Sequence, residues 1–82
     1  MSVEAIANTI EKEKKLEIIE AVKTNRKHME SVGKYHPDGL TFLFQEWHRH
    51  FPQIKQRMGC IGCREAVTMF WEDVNRFWQS NN

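Results

Sequence analysis

The amino-acid sequence predicts a small all-α domain of three helices: an N-terminal charged helix, then an aromatic-rich antiparallel helical hairpin. Three observations point there. Residues 3–30 contain no Gly or Pro and are rich in Glu, Lys, Ala and Ile, a composition of high helix propensity. Two later segments place apolar residues at the spacing of an amphipathic helix. No stretch alternates apolar and polar residues as a half-buried strand does. At 82 residues the chain has room for one domain, within which residues 1–34 form a charged N-terminal segment and residues 35–82 the aromatic hairpin.

The composition shift between the two is sharp. Residues 1–34 carry 7 basic and 6 acidic side chains and no aromatic, whereas all nine aromatics fall after residue 34. On that count the core belongs to the second half. Within the first half, at about 100° per residue, Val3, Ile6 and Ile10 share one direction. Ile18, Val22 and Met29, flanked by Ile19, point about 120–140° away. One straight helix cannot bury both sets against one neighbour. Either it breaks near the charged run at residues 11–15, or its ends touch different surfaces, one of them on another molecule. The run itself reads as a solvated helix turn with a Glu11–Lys15 pair.

Residues 31–39 hold Gly33, Pro37, Asp38 and Gly39, the punctuation of a loop, with Asp38 as the candidate N-cap of the next helix. From there Leu40, Leu43, Phe44, Trp47 and Phe51 form an apolar stripe that Pro52 interrupts. Residues 53–58 read as a turn or short helix closed by Gly59. A second stripe runs through Cys63, Ala66, Val67, Phe70, Val74, Phe77 and Trp78, opposite Arg64, Glu65, Glu72, Asp73 and Arg76. Two stripes joined by a short connection are expected to face each other as an antiparallel pair, with Ser80, Asn81 and Asn82 as a frayed tail.

Charge and length narrow the function classes. A formal net charge of +1, from 12 basic and 11 acidic residues, argues against a polybasic nucleic-acid or membrane binder. The N-terminus does not read as a signal or transit peptide, and no apolar run approaches the roughly 18 residues of a membrane span. The expected location is cytoplasmic, where thiols stay reduced.

Both cysteines lie in Gly59-Cys60-Ile61-Gly62-Cys63. A Cys-x-x-Cys supplies half of a tetrahedral zinc site. The remaining ligands would come from His28, His36, His48 or His50. His48 and His50 sit about 200° apart around one helix, so at most one of them joins a given ion. The zinc candidate is therefore Cys60, Cys63, His36 and His50. A redox reading puts a reactive thiolate at Cys63, at a helix start near Arg64 and Arg57, but lacks the strand that a thioredoxin-like dithiol follows. The packing reading, which is favoured, makes Cys63 a small core residue and Cys60 part of a turn, with no bound cofactor.

From Trp47 to Arg64 there is no acid, so His48, Arg49, His50, Lys55, Arg57 and Arg64 form a candidate basic patch, with Trp47 and Phe51 interleaved for base stacking. Catalytic motifs are not found: there is no phosphate-binding glycine loop, no nucleophile elbow and no metalloprotease motif. An enzyme is not expected. Nine aromatics exceed what three helices must bury, which nominates Met69, Trp71 and Trp78, with Val3, Ile6 and Ile10, as a partner-binding face. The expectation is a non-enzymatic interaction or assembly module that oligomerises or docks on a larger complex, a role suited to a phage or mobile-element accessory protein. The alternative is a zinc-stapled regulator touching nucleic acid or an acidic partner through residues 48–64.

Overall fold

A computed structural model describes residues 3–81 and contains four α-helices: α1 (Val3–Ala7), α2 (Lys12–Val32), α3 (Pro37–His50) and α4 (Ile61–Ser80). The all-α class holds, and there is no strand among the described residues. The fourth helix arises because the N-terminal segment breaks ahead of the charged run. Thr9 turns both its N–H and its hydroxyl onto the Ile6 carbonyl, at 3.0 and 2.8 Å. A side chain that competes in this way for backbone acceptors ends the helix. Glu11 then sits extended, at φ −70° and ψ 159°, and α2 begins.

The break resolves the two apolar directions within one molecule. Helix α1 folds back onto α4, burying Ile6 and Ala7 and packing Val3 and Ile10 against the core. The Trp78 indole N–H reaches the Ala7 carbonyl at 3.2 Å and ties the two helices together. Helix α2 buries Ile18, Ala21, Val22 and Asn25 along one stripe. It stops at Gly33, whose φ of 79° is the left-handed conformation that favours glycine and whose N–H returns to the Met29 carbonyl at 2.9 Å. The core is consequently drawn from both halves of the chain, and the expectation that it belongs to residues 35–82 does not hold.

Helix α3 starts at Pro37, and its cap is His36, not Asp38: the His36 Nδ1 accepts the Gly39 N–H at 3.0 Å. Proline at the first helical position brings the required φ and lacks only an N–H that has no partner there anyway. Gly39 is buried where α3 crosses α2, and a Cβ there would lie 3.3 Å from the Ala21 carbonyl oxygen. Asn25 serves both sides of this junction. It is 1% exposed, its Oδ1 accepts the His36 N–H at 2.8 Å, and its Nδ2 donates to Thr68 Oγ1 at 3.4 Å.

The relative direction of α3 and α4 departs from the expected hairpin. Helix α2 runs antiparallel to α3, since Asn25 meets His36 and Lys14 meets Phe42 and Glu46. It also runs antiparallel to α4, through Arg26 to Glu72 and Lys15 to Trp78. Helices α3 and α4 therefore share a direction. Residues 51–60 make no α-helix and are not closed off by Gly59 in a left-handed turn; they run back along α3. Trp47 Nε1 donates to the Ile54 carbonyl, the Gln56 N–H donates to His48 Nε2, and Thr41 Oγ1 meets Met58 Sδ. Ten extended residues reach about 33 Å, enough to return over a helix about 21 Å long.

Where α3 crosses α4, Phe70 and Trp71 meet it. Phe70 stands edge-on to Trp47 and Phe51, and the Trp71 indole N–H donates to the Leu43 carbonyl at 3.0 Å. Each tryptophan is thus buried with its one donor satisfied by another segment. The Cα radius of gyration of 12.1 Å matches the value of about 12 Å expected for this length.

Candidate functional site

The partner-binding face nominated from the sequence is largely used up in folding. Trp71 is 0% exposed, Trp78 and Ile6 are buried, and Val3 and Ile10 pack on the core. The aromatics that seemed surplus are consumed because α1 and the returning connection add surfaces that a three-helix count omits. Of that set, only Met69 is exposed.

The zinc quartet is also dispersed. His36 caps the start of α3 and His50 ends it, about 20 Å along the helix axis. No group of three or more His, Cys, Asp or Glu side chains suited to holding a metal ion occurs among the described residues. The sulfurs have a structural task instead. Cys60 is the N-cap of α4, its Sγ accepting the Cys63 N–H at 3.3 Å, and Cys63 is half-buried against the core. Hydrogen bonds from the Cys63 side chain and then from its N–H hold the Cys60 thiol below its ordinary range, with Arg57 adding to the effect.

The basic stretch divides between opposite ends of the molecule. Arg49 and His50 line a small cleft with Thr9, Ile10, Glu11 and Lys14, beside the α1–α2 break. Burial pushes the His50 imidazole below its ordinary range, against the pull of Glu46. Glu46 is 1% exposed between α2 and α3; its Oε2 lies 3.6 Å from Lys14 Nζ and 3.4 Å from Arg49 Nε. Its Oε1 has no hydrogen-bond partner among the described residues. His48 faces the connection, where its Nε2 accepts the Gln56 N–H. Arg64 sits at the far end, its guanidinium 5.8 Å from the Tyr35 ring centroid and its Nη1 donating to the Met58 carbonyl at 2.9 Å.

What remains open is the connection itself. Phe51 and Trp47 are buried and tilted against each other at 4.5 Å, which anchors its start and withdraws both rings from any base-stacking role. The hydrogen bonds to His48, Trp47 and Thr41 hold its backbone against α3. Ile54, Met58 and Ile61 are left exposed, Ile61 at 71%, with Lys55 and Arg57 exposed between them. Apolar side chains in the backbone-anchored loop and at the first residue of α4, spaced by cations and free of acids from residue 47 to 64, make a surface for an acidic, partly apolar counterpart. Sequence reading assigned the cations of this stretch but passed over Ile54, Met58 and Ile61. Their signal was that they fit neither helix stripe.

No helix among the described residues is long and apolar enough to cross a membrane. Protein-family models, curated proteins and solved structures give no match to this chain.

Proposed function

We propose that the protein is a non-enzymatic docking module that uses the α3–α4 connection to hold an acidic protein surface. The observation that carries this reading is the exposure of Ile54, Met58 and Ile61 among Lys55 and Arg57 on a stretch without acids. Apolar contact supplies affinity while the cations select the partner and steer encounter. The groups suited to chemistry are committed to architecture, which supports the non-enzymatic part: Cys60 and His36 cap helices, and His28 and His48 bond backbone groups. Burial of Trp47 and Phe51 favours a protein over a nucleic acid, since a base-stacking platform needs open rings.

The test is a titration with a short fluorescein-labelled peptide in which Asp and Glu are interspersed with Leu. Binding should weaken as salt rises. It should also weaken about tenfold or more in the double variant Ile54→Ser/Ile61→Ser, whose side chains leave no core contact behind. Equal binding of the same peptide with Asn and Gln in place of its acids sinks the reading, as does indifference to the double variant. Self-association, read by native mass spectrometry, would identify a second copy of the chain as the occupant and replace the acidic partner.

A further inference from the structure

Where α2 ends and α3 and α4 both begin, the fold leaves a pocket of about 450 Å³ whose lining includes Lys34, Tyr35, Leu40, Met58 and Arg64 and no acidic residue. Its parts are held in place. The left-handed Gly33 turns the chain, the Lys34 carbonyl contacts His28 Nδ1 at 2.8 Å, and the Met58 sulfur meets Thr41 Oγ1. Arg64 spends Nη1 on the Met58 carbonyl and packs over Tyr35, but its buried Nε–H finds no acceptor among the described residues. Lys34 is exposed and forms no ion pair among them.

We infer that this pocket receives an Asp or Glu side chain of the docked partner, an inference that rests on the docking reading and names the feature of the partner that is recognised. A guanidinium and an ammonium flanking one space, with a donor to spare and no carboxylate in its lining, select an anion. The apolar walls decide which anion. Tyr35, Leu40 and Met58 offer contact that inorganic phosphate cannot use, whereas the methylenes of an acidic side chain and its aliphatic neighbour fill it. Continuity decides the source, because Met58 belongs both to this pocket and to the exposed face of the connection. A partner lying along Ile54, Met58 and Ile61 therefore passes the pocket mouth.

The experiment is a ¹⁵N-resolved NMR titration of the protein with the Asp/Glu/Leu peptide, following backbone amides and the arginine Nε–H signals together. The expected result is movement of the Arg64 Nε–H, Lys34 and Tyr35 signals along with those of the connection, and about tenfold weaker binding in Lys34→Glu, a substitution at an exposed site. Arg64→Gln should act in the same direction; Lys34→Glu keeps the test decisive if loss of the Arg64–Met58 bond loosens the loop. Shifts confined to residues 54–61, with Lys34→Glu unchanged, overturn the pocket and leave docking on the loop standing. Equal shifts with acetate or inorganic phosphate alone overturn the assignment to a partner side chain. No shift anywhere overturns both.

Discussion

Single residues here carry two kinds of charge chemistry, each with a measurable consequence. The Cys60 thiol accepts the Cys63 N–H in the first turn of α4 and sits below its ordinary pKa through its hydrogen bonds to Cys63. Since the thiolate is the nucleophile, limited iodoacetamide treatment near neutral pH should modify Cys60 ahead of Cys63, read by peptide mapping. Faster modification of Cys63 contradicts the cap geometry. His50 titrates in the opposite sense from a salt-bridged histidine. Burial lowers its folded pKa, with Arg49 also lowering it and Glu46 opposing. The unfolded chain therefore binds the proton more readily, so the stability associated with neutral His50 is complete above its unfolded pKa of about 6.5 and drains away as pH falls. The thermal midpoint should drop between pH 7.5 and 5, and His50→Gln should drop less; an equal slope in both proteins removes His50 from the account. Sequence alone located the Cys-x-x-Cys motif and the helix it opens. Which sulfur caps was not legible, because the answer depends on Cys60 lying one residue outside the helix, a boundary that pattern reading misses by a residue or two.

At the scale of elements, the stripes on α3 and α4 were readable because period-3.6 spacing is a local property. The junctions were not, because they are built from polar residues with no periodic signature. Asn25 is the clearest case: on sequence it is one more polar position on a charged helix, yet it links α2 to the cap of α3 and to Thr68 of α4. Replacing it by Leu strands the part-buried His36 N–H and removes the bond to a buried threonine. Asn25→Leu should cost about 2–3 kcal/mol, the range for leaving interior polar groups unmade. Thr68→Val, which keeps its shape but leaves the buried Asn25 Nδ2 without its long 3.4 Å bond, should cost less than Asn25→Leu, about 1 kcal/mol. Urea denaturation of the two variants gives the order, and a Thr68→Val loss as large as that of Asn25→Leu would mean that packing around Thr68 matters more than the cap. The charged run at residues 11–15 is a parallel lesson. The two apolar directions on either side of it left open a break or a contact with another molecule; that the chain breaks and the short α1 returns to α4 of the same chain depends on a tryptophan 71 residues away.

Over the whole molecule, the decisive feature is that α3 and α4 run the same way, and this follows from one physical quantity, the reach of residues 51–60. A short connection between consecutive helices makes an antiparallel pair; a connection able to span the full helix allows a parallel one. The sequence reading took residues 53–58 as a compact turn or helix, which shortened the link and forced the hairpin. The structure instead gives the link a turn at each end and straps it along α3 by bonds to Trp47, His48 and Thr41, side chains that face it. The same strapping exposes Ile54, Met58 and Ile61 and brings Arg64 beside Tyr35, so the docking surface and its pocket are products of the return path. This can be tested by length. Replacing residues 52–59 with a tight four-residue turn leaves a link of six residues that reaches about 20 Å, short of the return over α3 once its ends are turned. That variant should lose cooperative unfolding or refold with α4 displaced, seen as loss of the upfield-shifted core signals in NMR. Lengthening the link between Ile54 and Met58 with a flexible Gly/Ser insert that doubles it should cost only about 0.6 kcal/mol of closure entropy, plus the bond from Gln56 to His48. A shortened chain that retains the native spectrum would show that α3 and α4 pack as the antiparallel hairpin after all, and would remove the surface on which the proposed docking depends.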